Sequence, residues 1–195
     1  MINEIYQWLS DQDDIKVIKT REPGGNKIAE QIRSIIVDKD NTDLDPIAEA
    51  LLFAASRRQH LVNNIIPFLE DGYIVLCDRY VTSSIVYQGY ARSLGVNEVQ
   101  AMNEFATNGL MPDLTLWLDI KPSIGLRRIN SNNRNTNRLD LESDKFHEDV
   151  RTGYRWMYHR TQDMFRLDAE QDLETVVKDC KRFIEQVIDK KCYKL

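Results

Sequence analysis

The chain has 195 residues, which suits one folded domain with a sizeable core. Hydrophobic residues make up 42% of it and charged residues 29%, a balance that excludes an intrinsically disordered chain. With 26 basic and 31 acidic residues, the net charge of −5 argues against a dedicated nucleic-acid-binding protein, which would carry a basic excess. No apolar run approaches the roughly 20 residues of a membrane span, and no secretory signal is visible.

Helical and strand patterns alternate along the chain. Helices are predicted near residues 2–9, 28–36, 45–61, from 81 onward, 97–109, from 122 to about 130, 143–163 and 172–190. Strands are predicted at 15–20, 73–77, 114–118 and 165–168.

Individual residues indicate where a helix begins or breaks, which strand is buried and where a loop lies. Asp45 followed by Pro46 is a favourable helix start, because the carboxylate caps free N–H groups and proline suits the first helical position. Pro67 is expected to kink or split the helix that follows. The strand at 73–77 is apolar almost throughout, which predicts burial on both faces. The polar stretch 130–137 has no core residues and is the best candidate for a mobile loop.

The three cysteines form no CxxC pair and cannot all be joined in disulfides, so a reducing cytoplasm is the expected location. The histidines show no metal-ligand spacing with cysteine or carboxylate. No repeat or linker divides the chain, and a single domain over residues 1–195 is expected.

Strands that alternate with helices predict an α/β fold with a parallel sheet covered on both faces. Ligands bind such sheets at the carboxyl ends of the strands. There the chain places Thr20–Gly25, Asp78–Tyr80 and Asp119, which are rich in arginine and carboxylate. Arginine side chains bind phosphate well, and carboxylates bind Mg²⁺ or its waters. For any single Asp-Arg pair, however, a structural ion pair is the simpler interpretation.

Five blocks in this sequence resemble bacterial thymidylate kinases, in the same order and at consistent spacing. The blocks are Thr20–Gly25 (TREPGG), Leu52–Arg57 (LFAASR), Asp78–Arg92 (DRY, SS and YQGYAR), Asn103–Thr115 (NEFA, G and PDLT), and Arg138–Tyr154 (RLD, FH, VR and GY). The resemblance implies a three-layer P-loop-kinase-like domain, its mainly parallel sheet flanked by helices, with a LID-like loop at about 130–142.

One departure from the family concerns the amino terminus. Family members begin with a strand and the phosphate-binding loop G-x-x-x-x-G-K-[ST], whereas this chain contains no Gly-Lys dipeptide. The first, central strand is therefore expected to be missing, which would leave two interior sheet edges unpaired. A late start codon in the gene prediction or a trimmed protein is preferred over a working variant. Little or no kinase activity is expected of the chain as written.

The resemblance implies transfer of the γ-phosphate of ATP to dTMP, giving dTDP, with Mg²⁺. It implies that Arg79 holds the dTMP phosphate, with Arg33 as a second cationic contact. Asp78 would order Mg²⁺ waters or fix Arg79, and Glu22 would lie near the sugar or a metal-bound water. The residues alone leave alternatives open: a structural ion pair for Asp78 and a solvated helix face for Arg33.

For the base, the resemblance implies that Phe53 stacks on thymine and that Arg57 bonds its carbonyl edge. Their spacing of four places both on one helix face, although ordinary core packing is an alternative for Phe53. Ser84 and Gln88 would read the remaining edge of the base, and Tyr87 would lie under the deoxyribose and disfavour a 2′-hydroxyl. A methyl pocket would prefer thymine over uracil only moderately.

The resemblance also assigns catalytic arginines to the LID-like loop. Arg138 is the preferred candidate and Arg134 an open one, against the alternative of a polar loop with incidental arginines. Arg128 is a candidate to stack on adenine. A homodimer through helix faces is implied as well. Two competing hypotheses remain: a non-catalytic dTMP-binding protein that lacks donor binding, and a nucleotide kinase with another acceptor.

Overall fold

The protein is described by a computed structural model that covers residues 1–131 and 136–192. The α-helices are α1 (Ile2–Ser10), α2 (Lys27–Val37), α3 (Pro46–His60), α4 (Ile66–Glu70), α5 (Val81–Ser84), α6 (Val96–Thr107), α7 (Pro122–Ser131), α8 (Asp144–Tyr158) and α9 (Leu173–Cys192). The strands are β1 (Val17–Arg21), β2 (Ile74–Asp78), β3 (Thr115–Asp119) and β4 (Met164–Asp168). Two π-helical segments, Leu61–Ile65 and Ile85–Ala91, follow α3 and α5, and a 3₁₀ helix spans Arg138–Leu141.

The four strands pair in parallel, as the sequence pattern predicts. β1 pairs with β2, so that Arg21 lies opposite Asp78 at the carboxyl ends of the two strands. β3 pairs with β4, which places Asp119 opposite Asp168. In the described part of the chain no strand joins β2 to β3 by hydrogen bonds.

One hydrophobic core nevertheless packs against both strand pairs. Its buried members come from α1, β1, β4 and α9, and half-buried residues of β2 and β3 pack against them. The buried members are Ile5, Leu9, Val17, Leu167, Val176, Cys180 and Ile184. The predicted burial of the second strand on both faces is wrong, because Ile74–Cys77 is only half-buried. The physical reason is that β2 has a strand partner along one edge only among the described residues.

Helix α3 begins as the sequence predicts. The Asp45 carboxylate accepts hydrogen bonds from the backbone N–H groups of Ile47 (2.9 Å) and Ala48 (3.0 Å), with Pro46 in the first turn. The predicted break near Pro67 is confirmed, since the π-helical segment Leu61–Ile65 separates α3 from α4. Proline has no N–H to donate, and α-helical hydrogen bonding cannot pass through it unchanged.

Helix α8 ends earlier than predicted, at Tyr158 instead of residue 163. The residues beyond it are polar, and the backbone N–H of Arg160 bonds the Met157 carbonyl to close the last turn. Tyr154 of this helix stacks on Trp117 of β3, with ring centroids 5.8 Å apart, and so holds α8 against the sheet. No helix within the described ranges is long and apolar enough to cross a membrane.

Asp119 ties β3, β4 and α8 together. Its buried carboxylate accepts hydrogen bonds from Nε of Arg151 and Nε of Arg166, both at 2.7 Å. Burial opposes ionisation of this carboxyl group, but the two arginines outweigh it and hold the pKa of Asp119 below its usual value.

Replacing Asp119 by asparagine is expected to lower the free energy of unfolding by about 3 kcal/mol at pH 7, because two guanidinium groups lose their counter-ion. The pKa of this carboxyl is lowered in the folded state. Its contribution is therefore present above the unfolded-state pKa of about 4 and is lost as the pH falls through the folded-state pKa. Urea unfolding between pH 7 and pH 3 measures this; a difference that does not change with pH would contradict it. The exposed neighbour Asp168→Asn is the control.

Candidate active site

The loop Thr20–Gly25 follows β1 and lies against α3. The backbone N–H of Gly24 donates to Oγ of Ser56 at 3.2 Å. Gly25 has a φ of +94°, and a Cβ atom there would lie 2.4 Å from the ring of His60. Only glycine combines this backbone conformation with so close an approach, so the position requires glycine.

Three buried side chains, Glu22, Arg57 and His60, form a hydrogen-bonded network beneath this loop. Nε of Arg57 donates to Oε2 of Glu22 at 2.7 Å, and Nδ1 of His60 lies 3.1 Å from Oε1 of the same carboxylate. Nε2 of His60 lies 2.7 Å from the hydroxyl of Thr20. Burial of these groups is tolerated because each has a hydrogen-bond partner of matching polarity.

Arg57 also joins α3 to the two helical elements that face it. Its Nη1 donates to Oγ of Ser84 at 3.1 Å and to the side-chain oxygen of Asn103. Its guanidinium carbon lies 5.3 Å from the ring centroid of Tyr80. No described residue accepts a hydrogen bond from Nη2, which leaves one donor edge of the guanidinium for a ligand. Phe53 lies one turn earlier on α3 and is half-buried.

A second buried carboxylate, Glu49, lies two turns before Arg57 on α3. It accepts hydrogen bonds from Nε2 of Gln88 (2.9 Å), Nε of Arg92 (2.8 Å) and the guanidinium of Arg138. Arg92 also pairs with Glu142 at 2.5 Å. Burial opposes ionisation of Glu49, but its hydrogen bonds outweigh burial and hold its pKa below the usual value. Glu49 therefore stays an ionised acceptor at neutral pH.

Arg79 follows β2 with a φ of +70°, an uncommon backbone conformation for a residue other than glycine. The side chain is exposed, and its guanidinium carbon lies 5.0 Å from the ring centroid of Tyr87. Of the two roles expected for Asp78, pairing with Arg79 is not seen: within the described residues these two form no salt bridge. Ordering of Mg²⁺ waters stays a prediction for this exposed carboxylate.

The remaining predicted residues lie around this group or apart from it. Arg33 is half-buried on α2, and its Nη1 donates to the Pro23 carbonyl at 3.0 Å. Arg138 also donates to the Ile36 carbonyl at 3.0 Å, so it is held against α2 and α3. Arg128 is exposed on α7 and donates to the Ala169 carbonyl at 2.7 Å. Arg134, with the rest of residues 132–135 in the predicted loop, lies outside the described residues.

One cluster outside the sequence predictions has the composition of a metal site. Glu22, His60 and Cys77 each place a ligand atom within 4.8 Å of the others. Both carboxylate oxygens and both ring nitrogens are already hydrogen-bonded, and burial raises the pKa of the Cys77 thiol, which keeps it protonated. The cluster therefore fits a hydrogen-bonded core better than a metal centre.

Sequence reasoning missed Glu49, His60 and Asn103. Their partners are distant in the chain, so spacing alone could not reveal the contacts. A usable signal was a charged residue in the apolar segment Ala48–Ala55, because such a residue is rarely buried without a partner.

The family model described as "Thymidylate kinase" matches residues 1–180. The chain belongs to the thymidylate kinase family. It is 48% identical over 187 residues to a thymidylate kinase of Clostridium novyi, covering 95% of this chain and 91% of that protein. It is 51% identical over 193 residues to a thymidylate kinase of Oceanobacillus iheyensis, covering 98% of this chain and 85% of that one. The predicted family, a nucleotide-binding phosphotransferase, is thus confirmed.

The fold of this thymidylate kinase family member matches a solved structure. A crystal structure of thymidylate kinase from Ehrlichia chaffeensis superposes with a TM-score of 0.74 at 25% identity, covering 94% of this chain and 88% of that one. The predicted fold class, an α/β fold of the P-loop kinase type with parallel strands flanked by helices, is therefore confirmed.

Glu22→Gln is expected to lower the free energy of unfolding by about 3–5 kcal/mol, because it leaves the buried Arg57 without its counter-ion. Urea denaturation measures the change. The control is Glu30→Gln, which removes an exposed partner of Arg21 and is expected to cost less than about 1 kcal/mol. Equal costs for the two variants would show that the buried network does not stabilise the fold.

Proposed function

We propose that this protein phosphorylates dTMP to dTDP with ATP as the donor. The supporting observation is Arg57, a buried guanidinium fixed by Glu22, Ser84 and Asn103 with one donor edge left over. Such an edge suits a carbonyl oxygen of a nucleobase, and half-buried Phe53 on the same helix offers a stacking surface. A solvated or incidental arginine would not be held from three sides.

The base would bind between these side chains. Phe53 would stack on thymine and Arg57 would donate to its O4 atom. Ser84 and Gln88 would contact the remaining polar edge, and Tyr87 would lie under the deoxyribose. In support, Ser84 and Gln88 are buried on one helical face, and Ser84 contacts Arg57 directly.

The phosphates would bind where the chain offers cations. Arg79 would hold the dTMP phosphate, with Arg33 as a second contact. Asp78 is an exposed carboxylate, a group that can bind Mg²⁺ or its waters. Bound Mg²⁺ would neutralise phosphate charge. Glu22 would lie near the sugar or a metal-bound water, although both its oxygens are engaged in this structure.

The donor side would depend on three further arginines. Arg134 and Arg138 would neutralise charge on the transferred phosphoryl group, and Arg138 must leave Glu49 to do so, because the two are hydrogen-bonded here. Arg128 would stack on adenine. The alternative is a dTMP-binding protein that transfers no phosphate. An assay of dTDP formation with ATP, Mg²⁺ and dTMP separates the two functions.

Arg79→Ala is expected to weaken dTMP binding about 10- to 100-fold, because it removes a charged hydrogen-bond donor to the phosphate. Thymidine, which has no phosphate, is expected to bind both proteins equally. Isothermal titration calorimetry with the two ligands measures the difference. The exposed Arg155→Ala on α8 is the control. An equal loss of affinity for thymidine and dTMP would contradict the proposed role of Arg79. Tighter binding of dCMP than of dTMP would reject dTMP as the phosphate acceptor.

We also propose a homodimer formed through α3 and α6. Ile47 and Leu51 lie four residues apart on α3 and are 60% and 54% exposed, and Phe105 on α6 is 90% exposed. Apolar side chains this exposed on neighbouring helices are typical of a protein–protein interface.

The double variant Leu51→Glu, Phe105→Glu is expected to be monomeric, because buried like charges would face each other across the interface. Analytical ultracentrifugation compares it with the unchanged protein. Leu173→Glu, which alters an equally exposed leucine on α9, is expected to leave the dimer intact. A monomer for the unchanged protein would overturn the proposal.

A further inference from the structure

Glu49 determines which way the side-chain amide of Gln88 points. An ionised carboxylate only accepts hydrogen bonds, so the group that faces it must be a donor. The amide nitrogen of Gln88 lies 2.9 Å from Oε1 of Glu49, and the reversed amide would place two oxygens against each other. Arg92 and Arg138 neutralise the carboxylate and keep it ionised. The orientation of Gln88 is therefore imposed by charge.

The imposed orientation leaves the carbonyl oxygen of Gln88 for a ligand. No described residue donates a hydrogen bond to Oε1 of Gln88. Within residues 1–131 and 136–192, the one buried side-chain nitrogen or oxygen without a partner is Nε2 of His147. Oε1 of Gln88 is therefore not fully enclosed, although the residue as a whole is only 1% exposed.

Arg57 supplies the complementary group. Its Nε is bound to Glu22 and its Nη1 to Ser84 and Asn103, which leaves the donor Nη2. Ser84, which accepts a hydrogen bond from Arg57, lies one helical turn before Gln88, so Arg57 and Gln88 face neighbouring turns of the same helical element. The site thus offers one donor and one acceptor, each oriented by a buried carboxylate.

This pattern matches one class of pyrimidine. Thymine and uracil present an acceptor at O4 and a donor at N3–H, whereas cytosine presents an amino donor at position 4 and an acceptor at N3. We propose that Glu49 is a positioning residue that sets the preference of the acceptor site for thymine and uracil over cytosine. It does so by holding the Gln88 carbonyl towards N3–H. The proposal rests on the proposed function, because it assumes that the base binds between Arg57 and Gln88.

The test uses Glu49→Gln, whose neutral amide can face Gln88 with either its oxygen or its nitrogen. Gln88 is then free to present its amino group to N3 of cytosine, which removes one of the two mismatches with this base and leaves the one between its 4-amino group and Arg57. Calorimetric dissociation constants for dTMP, dUMP and dCMP are measured for the unchanged protein and the variant. The preference for dTMP over dCMP is expected to fall about tenfold or more, with dUMP following dTMP.

Two further variants separate this role from general support of the fold. Glu49→Asp keeps an acceptor-only carboxylate and is expected to retain the preference even if all three nucleotides bind more weakly. Glu142→Gln removes the other carboxylate from Arg92 without touching Gln88, and is expected to retain the preference too. A purely structural role of Glu49 would weaken dTMP and dCMP binding alike and leave their ratio unchanged.

The outcomes distinguish the two proposals. An unchanged preference in folded Glu49→Gln overturns the role of Glu49 and leaves the proposed function standing. An unchanged protein that does not prefer dTMP overturns the proposed acceptor, and the role of Glu49 with it.

A measurement on the unchanged protein covers the case in which Glu49→Gln does not fold. NMR of the Gln88 side chain is expected to show an amide NH₂ protected from exchange and a ¹³C carbonyl shift that moves when dTMP binds. A rapidly exchanging NH₂ with an unmoved carbonyl overturns the proposal.

Discussion

The site depends on the cost of burying charge. Helix α3 carries Glu49, Arg57 and His60 on its inward side, and each of the three is almost fully buried. A buried charge without a partner costs several kcal/mol, so its partners and their orientation are strongly constrained. The positions of the β1 loop, of α6 and of the helix after β2 follow from this constraint, because each of them supplies a partner to α3.

Charge complementarity also fixes the orientation of the polar side chains in the site. Glu22 and Glu49 can only accept hydrogen bonds, so each orients the donor group of the side chain beside it. The other polar group of that side chain is then left for a ligand. Arg57 is oriented through Glu22 and Gln88 through Glu49. In the proposed base site, two carboxylates would therefore decide which hydrogen bonds are offered to a ligand.

Side chains connect two strand pairs that share no backbone hydrogen bonds in the described residues. β2 and β3 each pair on one side in the described residues, yet a shared hydrophobic core contacts both halves. Stacking of Tyr154 on Trp117 and the bonds of Asp119 to Arg151 and Arg166 attach α8 to the β3–β4 pair. Side-chain packing and ion pairs thus hold together parts that the backbone ladder does not join.

The amino-acid sequence by itself determined the order and type of the elements, the parallel pairing and the family. These follow from local patterns: apolar periodicity, the Asp45-Pro46 start, and glycine in the loop after β1. The tertiary structure alone decided the partners of buried groups, such as Glu49 with Arg138 and Glu22 with His60. It also decided the half-burial of β2. The reason is that hydrogen-bond partners and strand neighbours are distant in sequence, so they exist only once the chain has folded.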